Sequence, residues 1–381
     1  MDIRYGMNPH QRASVTGAQP VRVVHGKPSL INYLDALNAW QLVREAAAAT
    51  GAVAAASFKH VSPAGAAIAG EIDETTRRAW DFGPGVVGPV AAAYVRARDA
   101  DPKSSFGDMI AVSAPVDMEL ADLLTRVVSD GIIAPGFAPG TVEILARKKH
   151  GSFLVLEADA SFEPPEWEHR EVFGMVLEQQ RDRFPITADL LRVACGSAPD
   201  LGAITDALLG MITLRYTQSN SVAYVKDGMA LGIGAGQQSR VDCTKLAGKK
   251  TATWWLRRHP AIDRLTFGEN VSRQDRLNWQ IRIAEDDVAP SQRSALAAAV
   301  DHEDVASATA IDRGAWLDEL DGVTLVSDGF IPFRDNIDHA VGYGVRYVVE
   351  PGGSTRSDDV RASCEELGLT LIHTGIRLFH H

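Results

Sequence analysis

Hydrophobic and polar positions along the chain follow two alternating periods. Over residues 33–49 an alanine-rich stretch sets Leu34, Leu37, Leu42 and Val43 near one face, which predicts a helix. Asn32 is placed to cap its start and Gly51 to stop it. Residues 53–58 are short, apolar and run into Lys59-His60. That pattern predicts a buried strand ending in a loop, where parallel-sheet proteins place chemistry. Residues 86–98 fit strand or helix; 109–112, 132–134 and 152–156 read as strands, and 118–128 and 141–149 as helices. The alternation predicts a layered α/β architecture.

The pattern weakens over residues 164–185, where charges and two adjacent prolines suggest a linker or crossover. It resumes near Thr187. Residues 203–216 and 242–258 read as helices, 221–233 as a hairpin turning at Asp227-Gly228, 338–343 as a helix, and 323–327, 347–349 and 369–372 as strands. This divides the chain into a first domain over 1–163, a connection over 164–186 and a second domain over 187–381. The run SDGIIAP from Ser129 returns as SDGFIP from Ser327, 198 residues later. Either the match is chance, or two similar halves arose by duplication and a ligand sits between them.

Composition narrows the classes. The 381 residues are 45% hydrophobic and 23% charged, enough to bury a core without staples. A net charge of −11 argues against non-specific nucleic-acid or membrane-surface binding; an anionic ligand would need locally concentrated cations. Cys195, Cys243 and Cys364 stand singly, which fits no disulfide framework and a reduced, cytoplasmic setting. The first residues are polar, unlike a signal peptide, and no 18-residue apolar run is present.

Five segments carry candidate chemistry. Lys59 and His60 sit side by side at the end of an apolar run, where burial and mutual repulsion would favour a neutral imidazole able to act as a base. A surface pair beside a Pro63–Gly65 turn is the plain alternative. Gly232, Gly234 and Gly236 would let backbone approach a phosphate or a flat ring, yet the dinucleotide fingerprint fails because its third glycine falls on Gln237. Close packing of a hairpin end explains them equally. Residues 216–221, from Tyr216 through Asn220, are small and polar and suit either an amide-bearing heterocycle or a helix-end turn. Arg4-Tyr5 and Arg377-Phe379 pair cations with aromatic rings at the two ends of the chain. No P-loop or nucleophile elbow is found, and His169-x-Glu171 lacks the cysteines of a zinc deaminase, so neither a catalytic metal nor a covalent nucleophile is expected.

Taken together, the segments resemble the formyltransferase part of the AICAR transformylase/IMP cyclohydrolase family. The matching runs are RYGMNPHQ from Arg4, ALNAWQL from Ala36, SFKHVSPAG from Ser57, SSFGD from Ser104, SDGIIAPG from Ser129, RYTQSNSV from Arg215, GIGAGQQSR from Gly232, TWWLRRHP from Thr253, FRDNID from Phe333, PGGS from Pro351 and RLFHH from Arg377. They keep the family's order across nearly the whole chain.

The resemblance implies two cytidine-deaminase-like α/β/α halves with a small helical insertion near 255–315, and an intertwined homodimer with shared sites. It implies formyl transfer from 10-formyltetrahydrofolate, as co-substrate, to the 5-amino group of AICAR. Lys59 and His60 match the catalytic pair. Arg4, Tyr5, His60, Gly107, Asp130, Asn220, Arg240, Phe330 and Arg377 match AICAR contacts, and Val241, Asp335, Ser354 and Thr355 match positions beside the folate. Asn278 is a weaker match. Arg346 and Arg356 would suit a polyglutamate tail.

Three departures are visible. The chain opens on the transferase motif, so ring closure to IMP is expected from a separate cyclohydrolase. Phe330-Ile331-Pro332-Phe333 stands where the family has Phe-Phe-Pro-Phe. Residues 81–90 are Gly/Pro-rich and match poorly. Beside the function the resemblance implies, two others stay open: formyl transfer to a related amino-nucleotide, and non-catalytic AICAR binding, against which the joint presence of Lys59, His60, Asn220 and Arg240 argues.

Overall fold

A computed structural model describes residues 2–381. The alanine-rich run is the helix Leu30–Thr50, capped by Ser29 rather than by Asn32. Asn32 is its third residue; its amide donates to Ser29 Oγ at 3.4 Å and its side chain accepts from the Ser29 amide at 3.0 Å. This reciprocal pair satisfies two of the amides that a helix start leaves without partners. Gly51 ends the helix at φ 70°, a conformation glycine adopts without a Cβ clash.

The strands are β1 (Val21–His25), β2 (Ala54–Lys59), β3 (Ser62–Ile68), β4 (Asp108–Val112), β5 (Ser129–Ala134), β6 (Leu154–Ala158), β7 (Trp167–Val172), β8 (Met175–Gln180), β9 (Arg192–Cys195), β10 (Val222–Lys226), β11 (Met229–Gly234), β12 (Val323–Ser327), β13 (Val345–Glu350) and β14 (Thr370–His373). Twelve of them form one sheet in the order β1-β6-β5-β4-β2-β3-β11-β10-β12-β13-β14-β9. Side chains alternate between its faces: Ile110 and Val112 point to one core, Met109 and Ala111 to the other. Helices Leu30–Thr50 and Leu201–Arg215 cover one face, and Pro89–Ala100 and Arg240–Leu256 cover the opposite one. No helix among the described residues is long and apolar enough to cross a membrane.

The sheet repeats itself about the β3–β11 junction. Each half opens on an antiparallel edge strand, then runs helix, two-strand hairpin, helix and three parallel strands separated by helices. Thus β2 is equivalent to β10, β4 to β12 and β6 to β14. The short echo seen in the sequence does not align these partners: Ser129 opens β5, whereas Ser327 closes β12, the counterpart of β4. The topology repeats, but that short match does not mark equivalent strands. A second expectation also changes: β2 is not a parallel strand but pairs antiparallel with both β3 and β4.

Residues 86–98, ambiguous by period, lie largely in the helix Pro89–Ala100, whose residues from Val90 to Ala100 are all buried. Being buried all round erases the amphipathic stripe. Between Arg240–Leu256 and β12 a set of short helices closes its own core around Ile262, Trp279, Ile283 and Leu296. Within 164–186, β7 and β8 form a separate two-stranded sheet turning at Phe173-Gly174. Its Trp167, Val172, Phe173, Met175, Val176 and Leu177 are exposed.

Candidate active site

Pairing geometry collects the candidates at one edge of the sheet. The turn after β2, the starts of β4 and β5, the start of β10 and the ends of β11, β12 and β13 all point the same way. First-half residues come from the N-terminal ends of parallel strands and second-half residues from the C-terminal ends, because β3 and β11 meet antiparallel.

The first group surrounds the β2–β3 turn. β2 ends on Lys59, β3 begins at Ser62, and His60 and Val61 between them have φ 54° and 59°. A two-residue hairpin of this hand needs positive φ at both positions, which suits Asn, Asp or Gly and strains a β-branched valine. His60 is exposed and Lys59 half-buried, so the single chain does not supply the desolvation expected for this pair. Lys59 Nζ donates to the Phe106 carbonyl at 2.6 Å. Gly107, at φ 78°, donates its amide to the Val128 carbonyl at 3.0 Å, which sets it against the start of β5 and Asp130. Asp130 is held by Lys149 Nζ at 2.6 Å. Beneath this loop the fully buried Asp108 accepts from Arg98 at 2.7 Å and from Ser57 Oγ at 2.8 Å.

Arg4 and Tyr5 are tied to the start of the helix Leu30–Thr50: the Arg4 amide donates to the Pro28 carbonyl and the Leu30 amide to the Tyr5 carbonyl, both at 3.0 Å. The Arg4 guanidinium lies 5.1 Å from the Tyr5 ring. One turn on, the buried Asp35 reaches back and accepts the Val61 amide at 2.6 Å. Burial raises the Asp35 carboxyl above its ordinary range, against the lowering influence of the Val61 amide and of His60.

The second group is built on Asp328, which is fully buried just after β12. One carboxylate oxygen pairs with Arg240; the other accepts from Ser219 Oγ at 2.6 Å and from the Ser221 amide and hydroxyl at 2.9 Å. Arg240 also donates to Asn220 Oδ1 at 2.7 Å, while Asn220 Nδ2 donates to the Gln237 and Gln238 carbonyls at 2.9 and 3.1 Å. The glycine-rich end of β11 thus wraps the Asn220 amide. Arg240 is buried and its charge is met by Asp328, so of the arginines matched to AICAR contacts Arg4 and Arg377 are the exposed ones.

The C-terminal segment belongs to this group. The Leu378 amide donates to the Asp328 carbonyl at 2.8 Å, and Ser219 and His380 exchange hydrogen bonds at 2.9 and 3.1 Å. Burial lowers the His380 imidazole below its usual range. Arg377 lies 4.9 Å from the Phe379 ring, and Gly329 sits so close to that ring that a Cβ would come within 2.7 Å. Phe330 is exposed beside it.

The positions matched to the folate flank this group. Val241 follows Arg240 in the first helical turn. Asp335 opens the helix Asp335–Val341 and accepts from Asn336 at 2.9 Å. Ser354 caps the Arg356 amide at 3.1 Å, Thr355 is exposed, and Arg356 stacks 5.5 Å from Phe333, joining the two loops. Asn278 lies apart, on Arg273–Ala284 of the insertion, bonded to Gln274 at 3.1 Å. Arg346 pairs with Asp321 and Arg356 with Asp359, so the basic rim is compensated. The two groups meet where the Gln218 amide donates to Ser62 Oγ at 3.5 Å.

Asp35 and Asp328 were not singled out by motif. Asp328 stands inside the noticed SDGFIP run. Asp35 gives one local signal: a carboxylate inside an otherwise apolar helix segment, Leu34 to Leu37.

A family model described as AICARFT/IMPCHase bienzyme matches residues 1–250. Curated relatives named bifunctional purine biosynthesis protein PurH, from Roseobacter denitrificans, Chloroflexus aurantiacus and Cereibacter sphaeroides, are each 30% identical over a 387-residue alignment. Each alignment covers all of this chain and 59% of the relative, so the chain spans less than two thirds of their length.

Proposed function

The chain belongs to the AICARFT/IMPCHase bienzyme family, and from that premise we propose that it transfers the formyl group of 10-formyltetrahydrofolate to the 5-amino group of AICAR in the cytoplasm, giving FAICAR and tetrahydrofolate. The observation that carries this reading is the presentation of Lys59 and His60 at the tip of the β2–β3 turn, on the same sheet edge as Asn220 and Phe330.

The chemistry follows from the substrate. The amine is conjugated with a carboxamide-bearing ring and is a weak nucleophile. Attack on the formyl carbon forms the new C–N bond; the C–N10 bond to the folate then breaks. His60 accepts the amine proton as attack proceeds, and Lys59 stabilises the charge on the formyl oxygen and assists proton delivery to the departing N10. Arg4 and Arg377 meet the phosphate, and Arg240 acts through Asn220 by fixing its amide. Val241, Asp335, Ser354 and Thr355 border the folate.

Active sites are shared in a homodimer. The strands β2 and β10, which lead into His60 and out of Asn220, are three strand spacings apart, about 14 Å. His60 is exposed, and the β7–β8 hairpin carries apolar side chains with no core of its own, both of which a second copy would cover. Incubation with AICAR and 10-formyltetrahydrofolate should release tetrahydrofolate and accumulate FAICAR. No turnover by the wild-type protein would overturn the reading.

A further inference from the structure

The two halves carry the same device, a carboxylate beneath a hairpin turn, and put it to different use. Asp35 is the sixth residue of Leu30–Thr50, and Asp206 the sixth residue of the equivalent helix Leu201–Arg215. Asp206 accepts the amides of Asp227 and Gly228, the β10–β11 turn, at 3.0 and 2.6 Å. Asp35 accepts the Val61 amide at 2.6 Å, and the His60 amide acts on the same carboxylate. Both carboxylates are buried. Asp227-Gly228, at φ 53° and 70°, is a relaxed turn of this type. His60-Val61 has the same backbone with a valine at φ 59°, a conformation that costs an L side chain energy and that a free turn would abandon.

We propose that Asp35 is a positioning residue for formyl transfer: its buried carboxylate holds the Val61 amide and thereby fixes His60 at the tip of the β2–β3 turn. The inference rests on the catalytic reading of His60. Without the acceptor, Val61 relaxes toward negative φ and carries the imidazole away from the amine. Substrate binding, made largely by other residues, is then little changed while the proton-transfer step slows. A general base must sit within hydrogen-bond reach of its proton, so a small displacement lowers kcat steeply.

The test is steady-state kinetics on the full chain with AICAR and 10-formyltetrahydrofolate. Asp35→Ala should lower kcat at least tenfold with KM for AICAR within threefold, whereas Asp35→Asn, which keeps an acceptor, should stay within about threefold of wild type. In a Val61→Gly background the turn no longer resists positive φ, so adding Asp35→Ala should cost little. Asp206→Ala, the same deletion in the other half, should lower the melting temperature and leave kcat unchanged. Should Asp35→Ala fail to fold, Asp35→Ser, too short to reach Val61, takes its place. Full kcat in the Asp35 variants beside an inactive His60→Ala overturns the proposal and leaves the catalytic reading standing. Equal kcat losses from Asp35→Ala with and without Val61→Gly also overturn it. A fully active His60→Ala overturns the catalytic reading and the proposal together.

Discussion

The β2–β3 and β10–β11 turns are the same structure placed at opposite ends of the sheet. One presents Lys59 and His60; the other is Asp227-Gly228, packed beside Ile68 with its Gly228 carbonyl accepting the Ile68 amide at 3.0 Å. In the second turn each residue suits its backbone. In the first, valine does not: it takes φ 59° behind the histidine at the exposed tip. Strain retained in one copy of a duplicated element and absent from the other marks the copy whose side chains are under a further constraint.

Four substitutions would break or sharpen that contrast. The largest effect is expected at the first turn's chemistry. His60→Ala should lower kcat by about 10²–10⁴-fold with the fold intact, checked by tetrahydrofolate release and circular dichroism. At the second turn the expected effect is on stability alone. Gly228→Val introduces a Cβ 2.6 Å from Ile68 at φ 70° and should cost about 3 kcal/mol in chemical denaturation, with kcat of the folded fraction unchanged.

The third prediction concerns the clamp. Burial pushes the Asp206 carboxyl up to about 6, against the amides of Gly228 and Asp227. Its folded pKa lies above its unfolded value, so its contribution to stability is complete below the unfolded pKa and is lost as pH rises through about 6. Asp206→Asn removes that titration. Relative to wild type, the variant should gain up to about 3 kcal/mol between about pH 4 and pH 7, read from urea midpoints. Parallel stability curves would contradict the assignment. The smallest effect is expected at the strained position itself: Val61→Gly should stabilise the fold by about 1 kcal/mol and keep kcat within about threefold.

A comparable split separates what was legible along the chain from what was not. The helices Leu30–Thr50 and Leu201–Arg215 and the central strands β4, β5 and β12 announce themselves through local periodicity and burial. The edge strands β1 and β9 do not: mixed exposure leaves no clean alternation to read. The helix Ser357–Glu366 was also missed, lying under a run of charges at its exposed start. Among candidate site residues, every one that belongs to a contiguous motif was visible. The groups that hold them were not, because Asp35 and Val61 lie 26 residues apart and Arg240 and Asp328 lie 88 apart.

By itself the sequence determined the helical and strand periods, the Asp227-Gly228 turn, and the motif order that marks the family, since each depends on neighbours a few residues away. Tertiary structure alone decided that β2 runs antiparallel to β4, that first-half and second-half residues share one sheet edge, and that Arg240 is matched by Asp328 instead of standing as a free cation. It also decided that a carboxylate in the first helix holds the turn carrying His60. Strand pairing and burial join residues that the chain keeps far apart, and a local pattern carries no record of which distant partner each will meet.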